Sequence, residues 1–227
     1  MKRSQINHAI KRAMGRMKEY KISLPCFGYW TKEDWENQKD ISSRVRERML
    51  GWDVTDFGQG DFNHCGATLF TVRNGDKDDS EQKMPYAEKY IILSDETEQE
   101  IPLHYHILKS EDIINRGGGI LVVELYNKTE DGDLDKENDV VVYTDSIKNV
   151  LKPGEPIEIA PGDSITLEPF VYHRFYAKKD EGLLIVGEVS KVNDDNTDNV
   201  FFKESKCFSE VEEDEAITYP LVNEYNF

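Results

Sequence analysis

The stretch LHYHILKSEDIINRGGG, Leu103 to Gly119, decides how this chain is read. His104 and His106 stand one residue apart. On a β-strand, residues i and i+2 point to the same side, so both imidazoles share a face. Glu111 follows after four residues, room for a turn that returns its carboxylate to the same point. Gly117, Gly118 and Gly119 allow a tight, close-packed return before the next strand-like run, Ile120 to Glu124. A buried structural segment gains little from two polar rings side by side. A metal site gains a great deal.

A third histidine arrives much later, in PGDSITLEPFVYHRF, Pro161 to Phe175. A Pro-Gly-Asp turn, a strand and another short turn deliver His173 at the start of a further strand. Three neutral imidazoles and one carboxylate suit a divalent first-row metal such as Mn, Fe, Co, Ni or Zn. Four protein ligands around a six-coordinate ion leave two neighbouring positions for oxygens of a substrate. His8 and His64 lack such company and read as structural residues.

Outward from these motifs the texture is β. Ala67 to Val72, Lys89 to Leu93, Ile120 to Leu125, Val140 to Thr144, Ile157 to Ile159, Ser164 to Leu167 and Leu183 to Val189 are short runs rich in β-branched residues. Asn74-Gly75-Asp76, Asp131-Gly132-Asp133, Pro153-Gly154 and Pro161-Gly162-Asp163 punctuate them, the rhythm of an all-β sandwich or barrel. Before them lies a helical region. Ser4 is placed to cap a helix carrying Ile6, Ile10, Ala13, Met14 and Met17 at helical spacing. Thr31 to Asp34 resembles a capping box. Ile41 to Leu50 reads as another helix, stopped by Gly51. The expected organisation is one domain: a helical extension over 1–53, the barrel over 54–190, and a segment over 191–227 covering the barrel or a partner subunit.

Composition bounds the function. The 227 residues are 38% hydrophobic, enough for one packed core. A formal net charge of −17 argues against nucleic acid or an anionic membrane as partner, since both are polyanions. Cys26, Cys65 and Cys207 form no CxxC, which argues against a disulfide framework or thiolate metal site and fits a reducing cytoplasm. The basic start MKRSQINHAIKRAMGRMKEY lacks the apolar run of a secretory signal. No stretch approaches the ~20 apolar residues of a membrane span.

The motifs resemble those of the cupin superfamily, whose first signature has HxH, a short spacer, Glu, and a later Gly. Here these are His104, His106, Glu111 and Gly118. The second signature corresponds to Gly154, Pro161-Gly162-Asp163 and His173, with Ala177 where the family has Asn. More closely, the chain is similar to the D-lyxose isomerase branch. The similarity is carried by Pro85 to Lys89, Pro102 to His106, Lys109 to Gly119, Gly187 to Ser190 and Asn193 to Asn199, and covers essentially the whole length. The resemblance implies a jelly-roll β-barrel with an N-terminal helical extension. It also implies a metal-dependent interconversion of D-lyxose and D-xylulose, and of D-mannose and D-fructose, with Mn2+ favoured.

Moving a carbonyl between C1 and C2 shifts one C–H hydrogen and one O–H proton. A divalent metal on both oxygens would stabilise an enediolate, and a base must carry the carbon proton. With His104, His106, Glu111 and His173 committed to the metal, Glu204 in VFFKES is the expected base. Lys109 is expected to polarise or protonate an oxygen. Lys89, Arg116, Arg174 and Asp214 are expected to bind the sugar. A hydride shift needs no carbon base, and solvent-isotope incorporation separates the two routes. Two rivals stay open: an Fe(II) cupin dioxygenase, which would consume oxygen, and a non-enzymatic sugar-binding cupin, which would bind without turnover. A homodimer is expected, since barrel edges and the helical extension offer surfaces to pair.

Overall fold

The computed structural model describes residues 1–38, 40–76, 83–194 and 197–225. The strands in chain order are β1 (Gly51–Thr55), β2 (Ala67–Asn74), β3 (Tyr86–Leu93), β4 (Glu100–His106), β5 (Glu111–Gly117), β6 (Leu121–Asn127), β7 (Val140–Thr144), β8 (Ile147–Leu151), β9 (Ile157–Ile159), β10 (Ser164–Leu167), β11 (Val171–Ala177), β12 (Leu184–Lys191) and β13 (Asn199–Phe201). They form two antiparallel sheets, ordered β1-β2-β3-β12-β5-β10-β7-β8 and β13-β4-β11-β6-β9. The fold is mainly β with an N-terminal helix: the sandwich or barrel that the strand rhythm predicts, in the jelly-roll form that the resemblance implies.

Alternation along the strands builds two cores. Ala67 on β2, Ile91 and Leu93 on β3, Ile113 on β5, Phe175 on β11, and Leu184 and Val186 on β12 fill the interior between the sheets. Trp52 and Val54, Phe70 and Val72, Ile92 and Ile185 take the opposite parity and meet Ile6, Ile10, Ala13 and Met17 of helix α1 (Arg3–Glu19). The helix survives because its apolar stripe covers the outer face of β1, β2, β3 and β12. Burying each large side chain there contributes about 1.5–3 kcal/mol.

Two readings of the helical region need correction. Ser4 is not the cap: Lys2 occupies that position, and Ser4 lies in the first turn, where its N–H and Oγ donate to Asp214. The Ile41–Leu50 helix shrinks to α3 (Ser43–Glu47), after α2 (Lys32–Asn37). Met49 turns into the left-handed region (φ 51), and the chain enters β1 at Gly51 (φ 127). A Cβ at Gly51 would lie 2.1 Å from Tyr225 Oη, whose hydroxyl donates to the Leu50 carbonyl. The Thr31–Asp34 capping box is present.

The triple glycine works as a close crossing. A Cβ at Gly118 (φ 99) would sit 2.0 Å from the Leu183 carbonyl oxygen. Buried Asn115 fixes the turn, donating to the carbonyls of Gly119 and Ile159 and accepting from the Gly117 N–H. No helix among the described residues is long and apolar enough to cross a membrane.

Candidate metal centre

At one end of the barrel the interior stripes change from apolar to polar. On β3 the stripe runs Leu93, Ile91, Lys89; on β12 it runs Leu184, Val186, Glu188; on β11 Phe175 gives way to His173. On β4 a bulge adjusts the parity. His173 pairs with His104 and Phe175 with Ile101, so between these pairs two residues of β4, Pro102 and Leu103, oppose one of β11, Arg174. The extra residue lets Ile101 and His104 both face inward, and Pro102, with no N–H to donate, occupies the irregular position.

The Nδ1 atoms of His104 and His173 lie 2.8 Å and 2.9 Å from the carbonyl oxygens of Pro102 and Val171. A carbonyl only accepts, so each Nδ1 carries the proton and each Nε2 presents a lone pair. Those two Nε2 atoms are 3.1 Å apart. Glu111 Oε1 stands 3.4 Å from His173 Nε2 and 3.4 Å from His106 Nε2. Both ring nitrogens of His106 are buried with no hydrogen-bond partner among the described residues. Buried polar atoms are normally paired, and lone pairs facing one another call for a cation between them. Ligand atoms of His104, His106 and His173 all lie within 4.8 Å of one another. The donor set fits a divalent first-row metal.

Electrostatics keep the donors ready. Burial, reinforced by the neighbouring histidines, holds His104 well below its ordinary value, and burial lowers His106. Both imidazoles are thus neutral and able to bind a metal. Burial alone would raise the Glu111 carboxyl, but the Lys109 ammonium 2.8 Å away outweighs it and holds it well below the usual carboxylate range.

Lys109 joins this centre to a second carboxylate. Its Nζ lies 2.8 Å from Glu111 Oε2 and 2.9 Å from Glu188 Oε1. The loop bearing it is held by Asp198, which accepts from the N–H groups of Ile107, Leu108 and Lys109. Ser190 Oγ also donates to Glu188. Lys89, buried on β3, is the register partner of Glu188. His104, His106, Lys109, Glu111, Glu188 and Lys89 line a cavity of about 330 Å³.

Four expected site residues lie elsewhere. Arg174 follows inward-facing His173 and so points outward, into ion pairs with Glu100 and Glu124. Arg116 neighbours inward-facing Asn115 and is exposed. Asp214 receives Ser4 at the start of α1. Glu204 is not among the residues that line the cavity: its side chain is exposed, while its carbonyl accepts from Gln59. Asp195 and Asn196, within the stretch that carries the resemblance, lie outside the described residues. Glu188 and Asp198 lie in stretches that carry the resemblance, but neither is among the site residues expected from sequence. Glu188 carries a usable signal, because in LLIVGEVS it falls on the parity of Leu184 and Val186 and interrupts an apolar stripe. Asp198 carries no signal of its role beyond lying in Asn193 to Asn199, since it acts through a loop about ninety residues earlier in the chain.

His8 and His64 stay out of the centre. His8 is exposed, and His64 pairs with Asp61 on the surface. None of the three cysteines forms a disulfide.

Fold and site together define a jelly-roll protein whose barrel interior gathers three histidines and a glutamate, a donor set that could hold a metal, beside a buried Glu–Lys–Glu chain. Similarity to known proteins narrows the class. The model of the D-lyxose isomerase family matches residues 1–225. A D-lyxose/D-mannose isomerase of Serratia proteamaculans is 40% identical over 227 residues, 99% of this chain and 98% of that protein. One of Escherichia coli O157:H7 is 39% identical over 229 residues, with the same coverage of 99% and 98%. The chain belongs to the D-lyxose isomerase family and is a sugar isomerase. Its fold is shared with an L-ribose isomerase of Acinetobacter sp. DL28, solved with L-ribose, at a TM-score of 0.59, 13% identity, and coverage of 93% of this chain and 98% of that one.

Proposed function

We propose that this chain interconverts D-lyxose and D-xylulose, and also D-mannose and D-fructose, as free sugars. The observation that carries the reading is the buried group His104, His106, Glu111 and His173 with Glu188 one lysine away, inside a member of this family. These four side chains would hold a divalent cation, Mn2+ in our reading. When bound, the cation supplies a Lewis acid for the oxygens on C1 and C2.

The chain's own residues supply the rest. Glu188 is the base that takes the proton from one carbon and returns it to the next. Its support is position: it is 4% exposed, lines the cavity and is kept beside an ammonium. Lys109 donates to the oxygen that gains charge, and the Asp198 clamp fixes where that donor stands. Lys89, on the same wall, donates to a hydroxyl of the sugar. The buried walls around Glu188 and Lys109 limit bulk water around the reacting carbons.

The expected assembly is a homodimer in the cytoplasm. The edge hairpin β7–β8 supports a partner surface, since Val141, Ile147 and Val150 are exposed on it. Size-exclusion chromatography with light scattering checks that point.

The test of the reaction is an assay of metal-depleted and Mn2+-restored protein against a panel of aldopentoses and aldohexoses in deuterated water. Ketose formed from D-lyxose and D-mannose only after restoration, with solvent deuterium at the transferred position, is the expected result. Oxygen uptake, or binding without turnover, would overturn the reading.

A further inference from the structure

The cavity has a second polar end. Arg48, the residue that closes α3, lines it, on the side where the chain approaches β1 and away from the sheet that carries the three histidines. Its Nη2 lies 3.4 Å from Asp76 Oδ2, an ion pair at the surface. Its Nη1 is buried and has no hydrogen-bond partner among the described residues. A buried donor left unpaired is unfavourable unless a ligand completes it.

The backbone here is also in a conformation that a side-chain-bearing residue rarely adopts. Met49, next in sequence, has φ 51 and lines the same cavity. Such outliers persist where the surroundings over-determine them. Here they do. Tyr225 Oη holds the Leu50 carbonyl at 2.8 Å, Tyr225 stacks on Trp35 at 4.2 Å, and Arg46 donates to the Trp35 carbonyl. Arg48 is therefore mounted on a braced wall, with one guanidinium nitrogen on Asp76 and another without a hydrogen-bond partner among the described residues.

We propose that the Arg48 guanidinium binds the terminal hydroxyl of the sugar, the end remote from C1 and C2, and so sets the preference of the site for a sugar that carries one. The proposal rests on the sugar-isomerase reading above. A guanidinium suits the role because its donors are fixed in one plane and stay charged at any working pH.

The test is a cycle of two proteins and two substrate pairs: wild type and Arg48→Met, with D-mannose against 6-deoxy-D-mannose and D-lyxose against 5-deoxy-D-lyxose. In wild type, removing the terminal hydroxyl should raise KM about tenfold, as expected when a site's buried donor loses its partner. In Arg48→Met the same deletion should change KM by less than about threefold, and Arg48→Lys should recover part of the penalty. Melting curves and Mn2+ titration establish that each variant folds and keeps its metal site. An equal penalty in wild type and Arg48→Met overturns the proposal, as does the absence of any penalty in wild type, whatever the variant does. If wild type turns over neither intact sugar, the reaction reading fails. Calorimetric binding of the same four sugars then still reads the cycle.

Discussion

His104 and His173 face one another as register partners on β4 and β11, with Nε2 atoms 3.1 Å apart and each Nδ1 on a carbonyl two residues back in its own strand. Two neutral rings with opposed lone pairs repel unless something positive lies between them. The β4 bulge brings them together, and Glu111 closes the gap from a third strand. This arrangement is a liability for an empty barrel and an asset for one that holds a cation.

Glu188→Gln removes the proposed base and keeps the size of the side chain. We expect kcat to fall about 10²–10⁴-fold, the range for loss of a general base, with Mn2+ binding retained. Glu204→Gln, at an exposed position, should leave kcat within about twofold, as surface changes away from a site do. Steady-state kinetics on both decides between them; the reverse order would restore Glu204 as the base.

Asp214 receives the N–H and Oγ of Ser4, and these hydrogen bonds lower its carboxyl from an ordinary 3.8. A depressed folded-state value means the stabilisation is present above the unfolded value and fades as pH falls through the folded one. Asp214→Asn should therefore melt lower than wild type at neutral pH, and the difference should shrink in acid below the ordinary value. KM should not change. A raised KM with unchanged melting would return Asp214 to the substrate.

Two glycines predict opposite outcomes. Gly15 is exposed within α1, and nothing lies within 4 Å of the place its Cβ would take, so Gly15→Ala should stabilise by about 0.5–1 kcal/mol. Gly118 combines φ 99 with the Leu183 carbonyl at 2.0 Å, so Gly118→Ala must displace backbone and should destabilise by more than about 1 kcal/mol. Urea unfolding of both variants measures this, and similar midpoints would contradict the account of the GGG crossing.

Much of this molecule is legible in its residues. The i, i+2 spacing of His104 and His106 speaks directly to strand parity, and the short β-branched runs fall on strands. The same parity argument, carried one residue further, sends Arg116 and Arg174 outward and Glu188 inward. Adjacency to a ligand in sequence means the opposite face on a strand. The bulge at Pro102 is not legible, because nothing in IPLHYH states that Ile101 and His104 share a face. Nor is the course of the tail: Glu204 and Asp214 are placed by long-range contacts with Gln59 and Ser4. Arg48 is hidden because Ile41 to Leu50 reads as a continuous helix, which conceals the Met49 turn that brings it to the cavity.

The central claim is that His104, His106, Glu111 and His173 grip one divalent ion on which turnover depends. Metal content and isomerase activity measured together on chelator-stripped, Mn2+-restored, His104→Ala and His173→Ala protein test it most directly. The account predicts one ion per restored wild-type chain with activity returning in proportion, and neither ion nor activity in the two variants. Equal activity in stripped and restored protein, or full metal occupancy without His104 and His173, would contradict it.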